Sequence, residues 1–250
     1  SDYNYNIMLF SYKKGEDYKS RIVESGLVDG VIFMGITMNY NDIRYLDEIK
    51  FPYVVIGKRN IEDLEPYSVV LDYREAFRKA TRYLIESGCD EIGFDGVARG
   101  FEPDMDKMMG YQQAFYEAGK LCNPNNILFF EGIHLKKSNN CISDLYDRGI
   151  HTFVLTDCDR MREIIEFASE RKLRIPEDLK ICIFNDEKMN FSDILHLTEL
   201  TDRKEGYSVP QIEMNQYYIG KRAAQFLFSR IKGDKDLPRT TTVALDIKLQ

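Results

Sequence analysis

The sequence lacks the features of a membrane or metal-binding protein. It has no apolar run of the roughly 18 to 20 residues that a spanning helix needs, and no basic segment followed by an apolar one near its start. Its three histidines, at positions 134, 151 and 196, are isolated, and its five cysteines include no Cys-x-x-Cys pair. We therefore expect no membrane partner, no metal site and reduced cysteines, as is typical of a cytoplasmic protein.

The motifs of the common nucleotide-binding and hydrolytic enzymes are also missing. The glycine-containing stretch 93–100 does not match G-x-G-x-x-G, and neither a phosphate-binding P-loop nor a G-x-S-x-G elbow occurs. The sequence thus predicts a protein that is not an enzyme and needs no cofactor. An enzyme on a doubly wound fold is the less favoured reading.

Charge and composition indicate an acidic globular protein. The formal net charge of −7 gives no surplus of Lys and Arg with which these 250 residues could bind a nucleic-acid backbone. Hydrophobic residues make up 44% and charged residues 30%, which argues against disorder. The length allows one large domain or two lobes of about 100 to 150 residues each.

Apolar segments alternate with helical patterns along the chain, which predicts βαβ units and parallel sheets. The best-defined helix, 72–87, has Asp72 as its N-cap, Glu75 three residues later and Gly88 after its end. The predicted strands are 5–10, 30–34, 53–56, 68–71, 91–94, 126–130, 152–155 and 179–184. The other predicted helices are 16–25, 42–49, 104–118, 138–148, 157–172 and 215–231.

Polar side chains follow two of these strands. Asp157 and Asp159 come after strand 152–155, and Asn185 and Asp186 come at the end of strand 179–184. Ligands bind at the carboxyl ends of strands in open parallel sheets, so these residues are candidate ligand contacts. The alternatives are a helix N-cap for the first pair and a strand-end turn for the second.

The same region carries a resemblance to a known family. Residues 171–178, Arg-Lys-Leu-Arg-Ile-Pro-Glu-Asp, followed by Phe-Asn-Asp at 184–186, resemble the effector-binding domain of the lactose-repressor/galactose-repressor (LacI/GalR) transcription regulators. Six further segments agree in the same order: 28–33, 52–57, 69–76, 84–88, 110–119 and 220–224. Together the eight segments are spread over most of the 250 residues.

The resemblance implies an α/β fold of the periplasmic-binding-protein type I, with two doubly wound parallel-sheet lobes joined by three crossing strands. The N-terminal lobe would hold residues 1–95 and 213–236, and the C-terminal lobe residues 100–210 and 237–250. The first lobe would lack the family's first strand and helix. The family's DNA-binding helix-turn-helix would likewise be absent from these 250 residues.

The resemblance also implies a site for a small polar effector, most often a sugar, between the lobes. Asp157 corresponds to a ligand-contacting position, with Cys158 a departure from the family pattern, and Asn185 and Asp186 lie where sugar or purine contacts are made. Lys107 stands where the family commonly has an arginine that contacts the ligand. Lys58 and Arg59 follow strand 53–56, where many members also contact ligand. All three residues could instead be surface cations. Phe101 and Phe184 are stacking platforms or core residues.

The function that follows is the effector-sensing and dimerisation domain of a LacI/GalR-like regulator. Its partners would be a sugar-like effector, operator DNA reached through the absent N-terminal domain, and a second copy in a homodimer. Inducer and corepressor behaviour both remain open. The alternative is an exported solute-binding protein of a sugar transporter, which shares the two-lobed fold.

Overall fold

The computed structural model describes residues 5–10, 23–34, 40–98, 101–130, 141–186, 189–190, 194–195, 198, 200, 209–234 and 236–249. The chain forms two compact units. Unit 1 comprises Ser1–Val70 and Tyr217–Thr242, and unit 2 comprises Leu71–Gln216 and Val243–Gln250. The chain therefore passes from one unit to the other three times.

Unit 1 is built on a four-stranded sheet. Its strands, in the order β1-β2-β3-β9, are β1 Val31–Met34, β2 Tyr53–Ile56, β3 Ser68–Leu71 and β9 Thr240–Val243. The pairs β1/β2 and β2/β3 are parallel. Helices α1 (Tyr40–Glu48) and α6 (Gln216–Ile231) belong to this part of the chain. A small core of Ile43, Leu46, Tyr53, Val55 and Ile61 holds α1 on the sheet.

Unit 2 is built on a six-stranded sheet in the order β10-β8-β7-β6-β4-β5. Only the pair β8/β10 is antiparallel among its described pairs. The strands are β4 Gly93–Ala98, β5 Ile127–Phe130, β6 Thr152–Leu155, β7 Lys180–Asn185, β8 Gln211–Glu213 and β10 Asp246–Lys248. The helices are α2 Tyr73–Glu86, α3 Glu102–Glu117, α4 Cys141–Asp147 and α5 Cys158–Arg171.

Both faces of the unit 2 sheet are buried at its central strand β6. In β6, Phe153 and Leu155 pack in one hydrophobic cluster with residues of α4 and α5, while Val154 packs in another with residues of α2 and α3. This alternation with a period of two is what a strand covered on both sides requires. Unit 2 is thus a three-layer α/β sandwich, as the predicted doubly wound fold implies.

The helix predicted over 72–87 is confirmed. The Asp72 side chain accepts a hydrogen bond from the backbone N–H of Glu75 at 3.1 Å, and Ser87 ends the helix. Helix α2 packs closely on α3, because Gly110 lets the helices approach: a Cβ there would lie 2.2 Å from the carbonyl oxygen of Arg74. This packing places α2 in unit 2.

The division between the units therefore differs from the predicted lobe boundaries. The first boundary falls at Val70, whereas the resemblance implies a boundary near residue 95. The physical reason is that α2 buries Phe77 and Ala80 in one cluster with Phe94 of β4 and Tyr111 of α3. Sequence patterns identify a helix without saying which sheet it covers.

The strand predicted over 5–10 is wrong. All six residues are exposed and without regular secondary structure, although the ring of Tyr5 packs against Phe228 at a centroid distance of 4.9 Å. A strand needs a neighbour to satisfy its backbone hydrogen bonds, and no described residue pairs with this segment. The short strands β8, β9 and β10 were not among the predicted strands.

Some predictions fall partly outside the described residues. These are the helix 16–25 in its first seven residues, the helix 138–148 in its first three, and His134 and His196. The third histidine, His151, stacks on Tyr146. In the described ranges no group of His, Cys, Asp and Glu is placed to hold a metal ion. None of the described helices is both long and apolar enough to cross a membrane.

Candidate functional site

The carboxyl ends of β6 and β7 meet at one edge of the unit 2 sheet. The two strands are parallel neighbours with Leu155 paired to Ile183, so the residues that follow them lie side by side. A hydrogen bond joins the two ends directly, because the backbone N–H of Cys158 donates to the Asp186 carboxylate at 3.2 Å. The predicted convergence of strand-end polar groups is therefore present in the geometry.

Asp157 is the N-cap of α5. Its carboxylate accepts a hydrogen bond from the backbone N–H of Arg160 at 2.9 Å, and its side chain is 29% exposed. A capping aspartate satisfies an otherwise unpaired helix donor and favours the positive end of the helix dipole. The structure thus contains the capping role, and the ligand role stays a prediction. Asp159, in the first turn of the same helix, is exposed and pairs with Arg162.

Asn185 is almost completely buried, and its amide is fully hydrogen bonded. Its nitrogen donates to the carbonyl of Met189 and to the side chain of Gln211, both at 2.9 Å. Its oxygen accepts from the Met189 N–H at 2.9 Å and lies 3.7 Å from the Cys158 sulfur. A primary amide has two donors and two acceptor sites. Asn185 therefore holds the end of β7 to Met189 and to Gln211 of β8.

Lys107 is buried, and its ammonium group faces protein acceptors. The Nζ donates to Asp104 at 3.1 Å and to the carbonyl of Thr156 at 3.0 Å. It also lies 4.8 Å from the ring centre of Phe184 and 5.2 Å from that of Tyr73, distances at which a cation is attracted to an aromatic face. These contacts make Lys107 a structural cation beneath the strand ends and not a surface charge.

The aromatic candidates are held by the protein. Phe184 is 3% exposed and belongs to the core of unit 2, where it contacts the rings of Tyr73 and Phe77. Phe101 is half-buried and precedes α3, at the N-cap position, without a side-chain cap. Phe184 is accordingly a core residue, one of the two roles that the sequence left open.

Lys58 and Arg59 lie in unit 1, directly after β2. Gly57 before them has a φ of 101°, a conformation that favours glycine and turns the chain at the strand end. Lys58 is exposed and Arg59 half-buried, and the Arg59 guanidinium donates to the carbonyl of Lys58 at 2.6 Å. Their predicted role in ligand binding stays a prediction.

A pocket of about 260 Å³ opens beside the predicted residues. It lies within unit 2 and is lined by Asn185, Met189, Glu213, Met214, Asn215 and Asp246. Sequence reasoning found Asn185 but missed the two carboxylates, Glu213 and Asp246. Glu213 lies at the end of β8 and Asp246 at the start of β10. A polar residue at a strand end is the signal that could have identified them, but these two short strands were not predicted.

A buried carboxyl group lies in β4. Asp95 is 1% exposed, and neither carboxyl oxygen has a hydrogen-bond partner among the described residues. Burial raises its pKa to about 7, although the neighbouring Arg160 guanidinium lowers it in part. Thr156 holds this bulged part of β4, since its hydroxyl lies 3.0 Å from the carbonyl oxygens of Asp95 and Gly96. An aspartate in an apolar strand was the sequence signal for this feature.

Comparison with known proteins places this geometry in context. No protein-family model matches the chain. The HTH-type transcriptional regulator RegA of Clostridium saccharobutylicum is 25% identical over 206 residues, which cover 80% of this chain and 60% of RegA. Catabolite control protein A of Priestia megaterium is 27% identical over 197 residues, covering 75% of this chain and 58% of that protein. The chain thus spans about 60% of the length of these curated relatives.

Solved structures agree on the fold. A LacI-family regulatory protein from Chloroflexus aggregans matches with a TM-score of 0.78 at 20% identity. The match covers 95% of this chain and 82% of that protein's chain. The transcriptional regulator CelR in complex with cellobiose matches with a TM-score of 0.70 at 18% identity. The match covers 89% of this chain and 65% of the CelR chain. The predicted periplasmic-binding-protein-like α/β fold is confirmed.

Proposed function

We propose, from the premise that this chain resembles LacI/GalR-family regulators in sequence and fold, that it is the effector-sensing and dimerisation domain of a transcription regulator. The relatives named above include a transcriptional regulator and a catabolite control protein, so we expect binding without turnover. Operator DNA would be read by a part of the protein outside these 250 residues. Such a regulator would act in the cytoplasm.

The observation that carries the proposal is the meeting of β6 and β7 at one edge with polar side chains. The Asp186 carboxylate accepts a hydrogen bond from the first backbone N–H of α5, and Asp157 is the N-cap of the same helix. The effector would bind at this edge, because strand-end side chains and a helix N-terminus converge there. A small polar, sugar-like effector fits these hydrogen-bonding groups, and the similarity to a regulator seen with cellobiose supports that class.

The effector would act by shifting a conformational equilibrium. A ligand changes the balance of two states only by as much as its affinities for them differ. The coupling is reciprocal: an effector that weakens DNA binding must itself bind the DNA-bound form more weakly. In a symmetric homodimer the two reading heads would be held at a fixed half-site spacing. An exported solute-binding protein remains the alternative, and the regulator relatives favour sensing over transport.

The test is a thermal-shift screen of the full-length protein with sugars, sugar phosphates and nucleobases. A ligand that binds only the folded state at 100 times its Kd should add about 2.7 kcal/mol to the free energy of unfolding and raise the Tm. If no compound raises the Tm, the sensing role is contradicted. A hit must also change the affinity for operator DNA, since a solute-binding protein would show no such coupling.

Two variants of Asp157 separate capping from ligand binding. Asp157→Ala removes both the cap and the carboxylate and should cost about 1 kcal/mol of stability. Asp157→Ser keeps a capping oxygen and removes only the charge, so its stability should be close to that of the wild type. If the carboxylate contacts the effector, both variants lose affinity. An affinity lost in neither variant would restrict Asp157 to its capping role.

A further inference from the structure

The pocket beside Asn185 is formed by a row of paired residues on three neighbouring strands. Asn185 of β7 is paired with Glu213 of β8, and Glu213 is paired with Asp246 of β10. Side chains of directly paired residues project from the same face of a sheet. The two carboxylates and the buried amide therefore lie on one face, at the wall of the same pocket.

The charge of this pocket is negative. Glu213 is neutralised by Lys248, whose Nζ lies 2.7 Å from its carboxylate. The Asp246 side chain is exposed, and no described residue forms a hydrogen bond or ion pair with its carboxylate. The candidate cation Lys107 does not line the pocket, and its ammonium group is bound to Asp104 and to the carbonyl of Thr156. One carboxylate of the pocket thus has no cation partner among the residues that the structure describes.

The remaining lining suits the carbon frame of a small ligand. Met189 and Met214 provide thioether side chains, which are flexible and polarisable and pack against irregular apolar surfaces. The volume of about 260 Å³ is just below the roughly 300 to 1,000 Å³ of typical ligand pockets. It accommodates one ring or one end of a longer molecule.

We propose that this pocket binds the protonated amine of the effector, and that the effector is an amino-substituted, polyhydroxylated small molecule. The inference rests on the proposed sensing function and names the ligand class of that site. The ammonium group would donate to the carboxylates of Asp246 and Glu213, the second of which also accepts from Lys248, and the ring would lie on the methionines. A sugar phosphate or sugar acid is disfavoured, because its charge has the same sign as that of the pocket.

Three probes that share one ring test the ligand class. Binding of glucosamine, glucose and glucose 6-phosphate to the full-length protein is measured by calorimetry at pH 6 and low salt. A hydrogen bond to a charged group is strong enough to give glucosamine at least about 10-fold tighter binding than glucose. Raising the salt concentration should reduce that ratio, since a partly exposed ion pair is screened. Glucose or glucose 6-phosphate binding as tightly as glucosamine would overturn the proposal.

Variants test the site itself. Asp246→Asn should bring the glucosamine-to-glucose ratio to within about 2-fold, because it removes the charge and preserves the shape of the side chain. The matched control is Asp144→Asn, which makes the same charge change at an exposed position of α4 in unit 2; it should leave the ratio unchanged. A ratio that persists in Asp246→Asn would place the ammonium elsewhere and overturn the assignment.

The outcomes also separate this inference from the proposed function. If glucosamine does not bind but another compound of the thermal-shift screen raises the Tm and changes operator affinity, the amine assignment fails and the sensing function stands. If neither the amine nor any other compound of that screen binds, both fail.

Discussion

Replacing Asp95 by asparagine should stabilise unit 2 at alkaline pH and have a much smaller effect at acidic pH. The carboxyl group is buried in β4 without a hydrogen-bond partner among the described residues. Burial raises its pKa to about 7; the Arg160 guanidinium opposes this rise, while the Glu163 and Asp157 carboxylates add to it. Asparagine has nearly the same shape and cannot ionise.

The magnitude follows from the two pKa values. An aspartate in the unfolded chain titrates near 3.8 and Asp95 in the folded chain near 7, and one pKa unit corresponds to about 1.4 kcal/mol. The folded state therefore binds the proton more tightly between these pH values, and its stability falls as the pH rises. The full loss is roughly 4 kcal/mol above pH 7, and it vanishes below about pH 4, where both states are protonated.

Urea unfolding of the wild type and Asp95→Asn at pH 5 and pH 8 measures this effect. The sequence contains no tryptophan, so circular dichroism is the suitable signal. The advantage of the variant should grow by roughly 3 kcal/mol between the two pH values. Asp159→Asn, at an exposed position of α5, is the control and should show a pH-dependent change below about 1 kcal/mol. An advantage of Asp95→Asn that is equal at both pH values would refute the reasoning.

Two further substitutions test the packing around the site by the same unfolding measurement. Gly96→Ala should cost about 3 kcal/mol or more, because its φ is 116° and its Cβ would lie 1.9 Å from the Thr156 hydroxyl. Gly220→Ala in α6 should raise the free energy of unfolding by up to about 1 kcal/mol, because the added Cβ would meet no neighbouring atom within 4 Å. Equal effects of the two substitutions would contradict the structure around β4. Lys107→Met should cost about 3 to 5 kcal/mol, because it leaves the buried Asp104 without its cation, and a loss below about 1 kcal/mol would show that the ammonium is not held there.

Helices that carry their own start and stop signals could be predicted from the sequence. Asp72 and Asp157 both accept hydrogen bonds from the backbone three residues later, so the bounds of α2 and α5 follow from local chemistry. The segment 5–10 has an equally clear apolar pattern but no strand beside it in the described structure. Its state depends on a neighbour, and a pattern within one segment does not contain that information.

The candidate site was predictable in place but not in detail. The polar ends of β6 and β7 do meet, because parallel neighbours end at the same edge. The contacts of Lys107 were not predictable, since its partners Asp104 and Thr156 include one that lies 49 residues away in sequence. Asp246 could not be recognised as a neighbour of Glu213 before the antiparallel pairing of β8 and β10 was known.

The division of the chain into unequal segments determines which unit can form most of its structure first during synthesis. The main segment of unit 2 is continuous, from Leu71 to Gln216, whereas the unit 1 sheet joins β3 to β9, and the hydroxyls of Ser68 and Thr240 make contact across 172 positions. At about 5 to 20 residues per second, roughly 10 to 30 s separate the synthesis of these two strands. On the ribosome, the main segment of unit 2 can therefore collapse around its core before β9, the neighbour of β3 in the unit 1 sheet, has been synthesised.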